Sequence, residues 1–300
     1  MKLQMMITMS DNSRGSMLMV GSMAAFALED MLIKSAASTV PIGLILAIFG
    51  VGGTLIFILL TWRSGDAIFH PFILSPPVLV RASCEVVGRL TFALAITLTS
   101  LSSASAILQA TPLVVVFAAA FIFGEHVCPK RWVAIICGFV GVLLIIRPGF
   151  DSFEPASLFA MIATLGFAGR DLATRATSPL LTNMQLGIYG FFILIPTGLI
   201  MWWYSKVPVQ LNLAASAQIL GAIIFGVIAY YALTVAMRIG EVSVVSPFRY
   251  TRLLFAILLG MLVFGETLDM ITVIGSLIIM LSGGYILLQR RGKQIKVIIS

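Results

Sequence analysis

Two unrelated motifs occur twice in this chain at one spacing, and that spacing limits the fold more than any other feature. Phe26-Ala-Leu-Glu-Asp-Met-Leu-Ile-Lys34 is matched in type at the Phe, the Ala, the acid and the base by Phe167-Ala-Gly-Arg-Asp-Leu-Ala-Thr-Arg175, with Asp30 and Asp171 standing 141 residues apart. Phe123-Gly-Glu125 returns as Phe264-Gly-Glu266, and the two glutamates are again 141 residues apart. A shared offset of this kind defines two copies of one unit of roughly 140 residues. Neither copy can be a soluble domain. Hydrophobic residues make up 60% of the 300 and charged residues 10%, where soluble domains carry about 25% charged. So few charges cannot cover the surface of a water-exposed globule, and the chain is read as an all-α membrane protein.

Ten apolar stretches approach the length of about 20 residues that crosses a bilayer as helix: 16–35, 41–62, 78–100, 103–123, 131–147, 155–175, 182–203, 215–236, 242–264 and 271–289. Pro41, Pro76, Pro77, Pro129, Pro148 and Pro155 fall at their boundaries, where proline suits a helix start or stop. Trp132, Trp202 and Trp203 fall at expected interfaces. The connections are too short for a separate ligand-binding or catalytic domain, so function must lie among the helices. The first stretch is read as a retained span and not as a cleaved signal, since it contains Glu29 and Asp30.

The formal net charge of +7 does not point to nucleic acid, because the bases sit in gaps between apolar runs. With the N-terminus inside, the inner segments hold Lys2, Arg14, Arg63, Lys130, Arg131, Arg238, Arg290, Arg291, Lys293 and Lys296. The outer loops hold little beyond Arg147 and Lys206, so both termini are expected to be cytoplasmic. Each copy then crosses five times. Because five is odd, the second copy enters from the opposite side and lies inverted, as in many secondary transporters. The expected units are two inverted five-helix repeats, 16–147 and 155–289, followed by a basic tail, 290–300.

Glu29, Asp30, Lys34, Arg81, Glu85, Arg89, Arg170, Asp171, Arg175, Arg249 and Arg252 all fall in or at the ends of these stretches. A charge at the bilayer centre costs about 2.5–3.5 kcal/mol even on lenient scales, so each needs a partner or a task. Asp30 with Lys34 and Asp171 with Arg175 stand at i,i+4, which suits pairing within one helix and a scaffold role. Glu29, Glu85 and Arg170 complete the set read as coupling groups or structural charge pairs, with Arg81, Glu85 and Arg89 forming an i,i+4,i+8 ladder. Arg249 and Arg252 flank Tyr250 with no local acid at pairing distance, so each meets an acid of another helix or a ligand. Arg89, Arg249, Tyr250, Arg252 and Tyr230 are the expected substrate contacts. The eleven groups hold seven bases and four acids, a surplus that suits carboxylates, phosphates or conjugated rings. Gln109, Thr111, Asn183 and Tyr231 could add polar contacts. Glu125 and Glu266 end the fourth and ninth stretches and are expected to organise helix ends or gates. Pro112 and Pro247 lie inside those stretches, where a break frees backbone groups.

Ala104-Ser-Ala-Ile-Leu-Gln-Ala-Thr-Pro112, continuing through Phe123-Gly-Glu125 to Gly141-Val-Leu-Leu-Ile-Ile-Arg-Pro-Gly149, resembles the twice-repeated unit of EamA-type members of the drug/metabolite transporter superfamily. The resemblance implies a multi-pass carrier of the bacterial inner membrane that moves amino acids, vitamins, nucleoside derivatives or aromatic compounds without ATP and without an ATPase partner. One branch imports riboflavin, and that vitamin is the leading named solute, with uptake ahead of export. The second span departs from many relatives in carrying Phe49-Gly-Val-Gly-Gly53 where they have an arginine-containing segment. A homodimer is left open.

Other classes have less in the sequence. A membrane-embedded enzyme would want a catalytic cluster, and His70 and His126 both fall in expected loops. No phosphate-cradling Gly-Lys-Ser/Thr loop is present. Cys84, Cys128 and Cys137 lack metal-ligand spacing, so neither metal nor cofactor is expected. An ion channel would need a selectivity filter.

Overall fold

The computed structural model describes residues 11–122, 129–146, 154–205, 208–210, 212–239, 246–282 and 285. Twelve helices hold most of them, and there is no strand among the described residues. The first half contains α1 (Asp11–Ala36), α2 (Ile42–Arg63), α3 (Pro76–Leu98), α4 (Leu101–Leu108), α5 (Thr111–Ile122) and α6 (Pro129–Ile146). The second contains α7 (Ser157–Ala176), α8 (Asn183–Phe192), α9 (Leu194–Tyr204), α10 (Leu213–Ile239), α11 (Thr251–Phe264) and α12 (Met270–Ser282).

Each expected stretch carries helix, but the fourth and seventh are each two helices in line. The first break has the expected cause. Pro112 has no N–H to give to the Leu108 carbonyl, and the Thr111 hydroxyl donates to that carbonyl instead at 2.6 Å. The second break is not read from the sequence above. It falls at Ile193, next to the Phe192 carbonyl to which Pro196 has no N–H to give; the Thr197 hydroxyl donates to the Ile193 carbonyl at 2.8 Å. In the second half a 3-10 turn, Ser246–Tyr250, leads into α11. Its junction at Tyr250 stands 141 residues beyond Gln109, where α4 ends.

Among the described residues, four helical stretches are long and apolar enough to cross a bilayer: Ser13–Ala36, Ile42–Arg63, Asn183–Tyr204 and Leu213–Ala236, with mean hydropathy 1.5, 2.6, 1.7 and 2.2. At 22 to 24 residues each reaches over 30 Å at about 1.5 Å per residue. Helices α3 and α7 have comparable length, 23 and 20 residues, but carry three charged residues each.

The packing is paired between the halves. Helix α1 lies along α10, and α3 lies along α7, its counterpart pair when the halves are exchanged. Helix α2 packs on α8 and α9, and α6 meets α12 through Gly141 and Gly275, where a Cβ on either would stand 2.8 Å from the other's carbonyl oxygen. Contact this close needs glycine on both sides. Gly43 and Gly198 do the same for α2 and α9; an added Cβ at Gly198 would lie 2.6 Å from the Gly43 carbonyl oxygen.

Contacts at the two ends fix the helix directions. The loop after α1 meets the segment before α10 through the Gln210 N–H, which donates to the Thr39 carbonyl at 3.2 Å. At the other end the loop after α2 meets the start of α8. There Gln185 Nε2 donates to the Ala67 carbonyl at 2.7 Å, and the His70 N–H donates to Tyr189 Oη at 3.1 Å. Helix α1 therefore ends where α2 begins, α7 ends where α2 finishes, and the two run in opposite directions.

Candidate functional site

The charged residues of α1, α3, α7 and α11 converge between the halves. Arg89 on α3 holds two carboxylates: it donates to Glu29 of α1 in a very close contact, and its Nε donates to Glu85 Oε1 at 3.3 Å. Glu85 Oε1 also lies 3.5 Å from Arg170 Nη1. Arg170 turns its Nε and Nη2 onto Asp171 Oδ1 at 3.1 and 3.0 Å. The other oxygen of Asp171 accepts from Arg249 Nη1 at 2.6 Å. Arg252, one turn further on, donates from Nη2 and Nε to Asp30 Oδ2 at 2.6 and 3.2 Å. The equivalent aspartates Asp30 and Asp171 are thus each held by an arginine, and both arginines come from one short segment of the second half.

Aromatic rings support the guanidinium groups. Arg252 lies over Phe26 and Phe92 at 4.9 and 5.1 Å, Arg89 over Phe26 and Phe49 at 5.6 and 5.4 Å, and Arg170 over Phe167 at 4.8 Å. Arginine suits such a site because its flat, weakly hydrated cation stacks on a ring face while its edge holds a carboxylate.

These side chains border a cavity. Arg89, Arg170, Asp171, Arg249 and Arg252 supply its charged wall, and Phe26 and Phe167 face it from equivalent positions of the two halves. Gln109 and Thr111 line it at the α4–α5 break, with Met23, Leu108 and Leu233 completing the apolar part. It holds about 60 Å³ of water-accessible space. That is room for roughly four to six waters and well short of the about 300–1,000 Å³ of pockets that enclose organic ligands. Several polar atoms there and nearby have spare capacity: Arg249 Nε, Glu29 Oε2, Glu85 Oε2 and the Tyr250 hydroxyl are buried without a hydrogen-bond partner.

The pairing differs from the in-helix expectation. Asp30 does not take Lys34, because the Arg252 fork reaches it with two N–H groups across the bundle. Lys34 instead donates to Glu266 Oε1 at 3.1 Å and to the Thr99 carbonyl at 2.7 Å. Asp171 is held by Arg170 and Arg249; the side chain of Arg175 lies outside the described residues. Of the ladder on α3 only the Glu85–Arg89 rung forms. Arg81 turns away and donates to Thr174 Oγ1 and the Leu186 carbonyl. The expected surplus of positive charge does not reach the central cluster. Four arginines (Arg89, Arg170, Arg249, Arg252) face four carboxylates (Glu29, Asp30, Glu85, Asp171), although arginines dominate the part that borders the cavity.

Other expected site residues lie elsewhere. Tyr230 is buried against Phe57 and Phe191 and donates to the Leu186 carbonyl at 3.2 Å, outside the cavity wall. Tyr250 is buried behind the wall, and Tyr231 is exposed on α10. Glu266 caps a helix in the other half: the N–H groups of Leu101 and Ser102 donate to its two oxygens at 2.7 and 3.1 Å, and the Ser102 hydroxyl donates at 2.7 Å. A carboxylate at the start of α4 takes two N–H groups that have no partner within the helix and meets the positive end of the helix dipole. Glu125 lies outside the described residues. Phe26 and Phe167 were not read as cavity walls, although their place in the repeated motif, 141 residues apart, was the available signal.

Internal duplication, antiparallel equivalent helices and a charged cavity between them define a multi-pass membrane protein of the solute-carrier type. The chain belongs to the EamA-like transporter family, which matches it twice, over residues 13–147 and 155–288. It is 24% identical to an S-adenosylmethionine uptake transporter of Rickettsia prowazekii over 64% of this chain and 65% of that one. It is 28% identical to a riboflavin transporter of Vibrio cholerae over 60% of each. These matches span less than two thirds of the relatives' own length. A pseudopaline exporter of Pseudomonas aeruginosa is 23% identical over 89% of this chain and 94% of its own. A crystal structure shares the fold with a TM-score of 0.63 and 17% identity, over 89% of this chain and 96% of that one.

Proposed function

We propose that the protein is a secondary carrier that moves a small organic metabolite across the bacterial inner membrane by alternating access. In this reading ten spans form two inverted halves, 16–147 and 155–289, with both termini and the 290–300 tail in the cytoplasm. The observation that carries it is the cavity between the halves, walled by the equivalent phenylalanines Phe26 and Phe167 and by four guanidinium groups. At about 60 Å³ it is too small for an organic solute, so in this reading a solute enters only when the halves separate.

Arg249 and Arg252 tie the same segment to Asp171 of one half and Asp30 of the other. A solute with a flat conjugated ring and hydrogen-bond acceptors at its edge stacks on the phenylalanines and competes with the aspartates for the arginines. Differential contact of this sort is what shifts a conformational equilibrium. Riboflavin has that form, and a riboflavin transporter is among the relatives; uptake is favoured by the S-adenosylmethionine uptake transporter. Export is the second reading, favoured by the pseudopaline exporter, whose match runs over nearly the whole chain. Glu85 and Asp171 are the proposed coupling acids.

Proteoliposomes tested with labelled riboflavin, S-adenosylmethionine and a panel of amino acids and aromatic metabolites, with and without a proton gradient, decide between these readings. The proposal expects saturable uptake of one aromatic solute, accelerated by an inward proton gradient. No gradient-dependent movement of any member in either direction would remove the carrier reading.

A further inference from the structure

Arg81 is the charged residue of α3 that the central network leaves out. It is 3% exposed, and no carboxylate lies within ion-pair distance of it among the described residues. Its Nε donates to Thr174 Oγ1 at 3.1 Å and its Nη1 to the Leu186 carbonyl at 3.3 Å. A guanidinium has five N–H donors, so three remain unspent, one on Nη1 and both on Nη2. The face of the cation lies 5.6 Å from the Tyr230 ring. Glu85, one turn away on the same helix, has an oxygen without any hydrogen-bond partner, yet Arg81 points from it towards α7 and α8.

This buried cation makes no ion-pair contact, and its links to Thr174, Leu186 and the Tyr230 ring leave three of its donors unused. The position equivalent to Arg81 in the second half is Ala222, so the guanidinium is no part of the repeated packing. Beside it Gly190 keeps a small space open, since a Cβ there would meet Nη1 at 3.5 Å, the Tyr230 hydroxyl at 3.5 Å and Nη2 at 3.7 Å, all ordinary contacts. The site stands one helical turn along α3 from Glu85, towards the end where α8 begins.

We propose that Arg81 is an oxyanion-binding station between the central cavity and that end of the bundle. Its free Nη edge takes a carboxylate, phosphate or sulfonate through two parallel charge-assisted hydrogen bonds, the geometry for which a guanidinium is shaped. The anion is either the acidic group of the transported solute or a free inorganic oxyanion. The route through the protein rests on the carrier reading above; the binding itself does not.

The test uses the full chain in proteoliposomes with Cys84, Cys128 and Cys137 replaced by alanine and Gly190→Cys as the reporter. Labelling rates are compared for an anionic methanethiosulfonate carrying a sulfonate and a cationic one carrying a trimethylammonium group. A buried positive group concentrates anions locally by about 10-fold or more, so the anionic reagent should react at least about 10-fold faster. Arg81→Gln should bring the ratio near one, and Arg81→Lys should keep part of it. Slowing of the anionic reagent by inorganic phosphate marks a free-oxyanion station, and slowing only by a transported solute marks that solute's own acidic group. A ratio unchanged by Arg81→Gln, no slowing by either competitor, or no labelling by either reagent overturns the proposal. Uptake measured in the same vesicles is the separate arm: a charge-selective ratio without transport of any solute defeats the carrier reading and leaves the station standing.

Discussion

Arg89→Met will lower stability more than any other single change in the central network, by about 3–5 kcal/mol. The arginine is the common partner of Glu29 and Glu85, which are 0% and 2% exposed. Each glutamate already has one oxygen without a partner, so removing the guanidinium leaves Glu29 unpaired and Glu85 with only the 3.5 Å contact to Arg170. Glu29 is then a fully buried carboxylate with no cation in contact, and that uncompensated charge carries most of the cost. The sign of the effect is tested by a cycle. Glu29→Gln combined with Arg89→Met should recover most of the lost stability, because replacing a whole buried ion pair costs far less than removing one partner. Thermal unfolding in detergent, followed by the monodisperse fraction on size exclusion, checks both. Equal midpoints for Arg89→Met and the parent protein would show that the buried pairs of Arg89 with Glu29 and Glu85 do not stabilise the fold.

The second large effect is on transport. Asp30→Asn with Arg252→Gln keeps the cluster neutral and its volume nearly unchanged, and the fold should survive. Uptake should nevertheless fall about 10- to 100-fold, the value of a charge-assisted hydrogen bond of about 1.5–3 kcal/mol. Asp171→Asn with Arg249→Gln should do the same, since the two pairs hold one segment to equivalent sites of the two halves. Uptake equal to the parent's in both double variants, at equal protein level, would exclude these arginines from the solute's path. Loss in one pair alone would mean that the segment is gated from one half only.

The sequence made the architecture readable because membrane folding writes it in composition. Apolar length marks spans, and the 141-residue offset predicts paired packing, seen in α1 on α10 against α3 on α7. The break at Pro112 was legible from the proline, whereas the equivalent reading of Pro196 requires noticing that the seventh stretch must also give up a carbonyl bond. Pairing of the charges was less accessible. Spacing at i,i+4 reports which groups can meet along one helix but not how that helix is rotated towards its neighbours. Asp30 therefore looked like a partner for Lys34, although α11 brings Arg252 to it, and Lys34 is taken by Glu266 from 232 residues away. What did survive was the negative signal at Arg249 and Arg252: with no acid at helical spacing, both had to find theirs across the bundle. A surplus counted over the whole set misjudged the central cluster because Lys34 and Arg81 point elsewhere.

The account depends most on the two halves threading the membrane in opposite senses around the shared cavity, and one accessibility measurement reaches that claim directly. Ser38 follows α1 and Ser178 follows α7. In a cysteine-free chain in oriented membranes, Ser38→Cys should react with an impermeant maleimide from the periplasmic side alone, and Ser178→Cys from the cytoplasmic side alone. Reaction of both positions from the same side would contradict it.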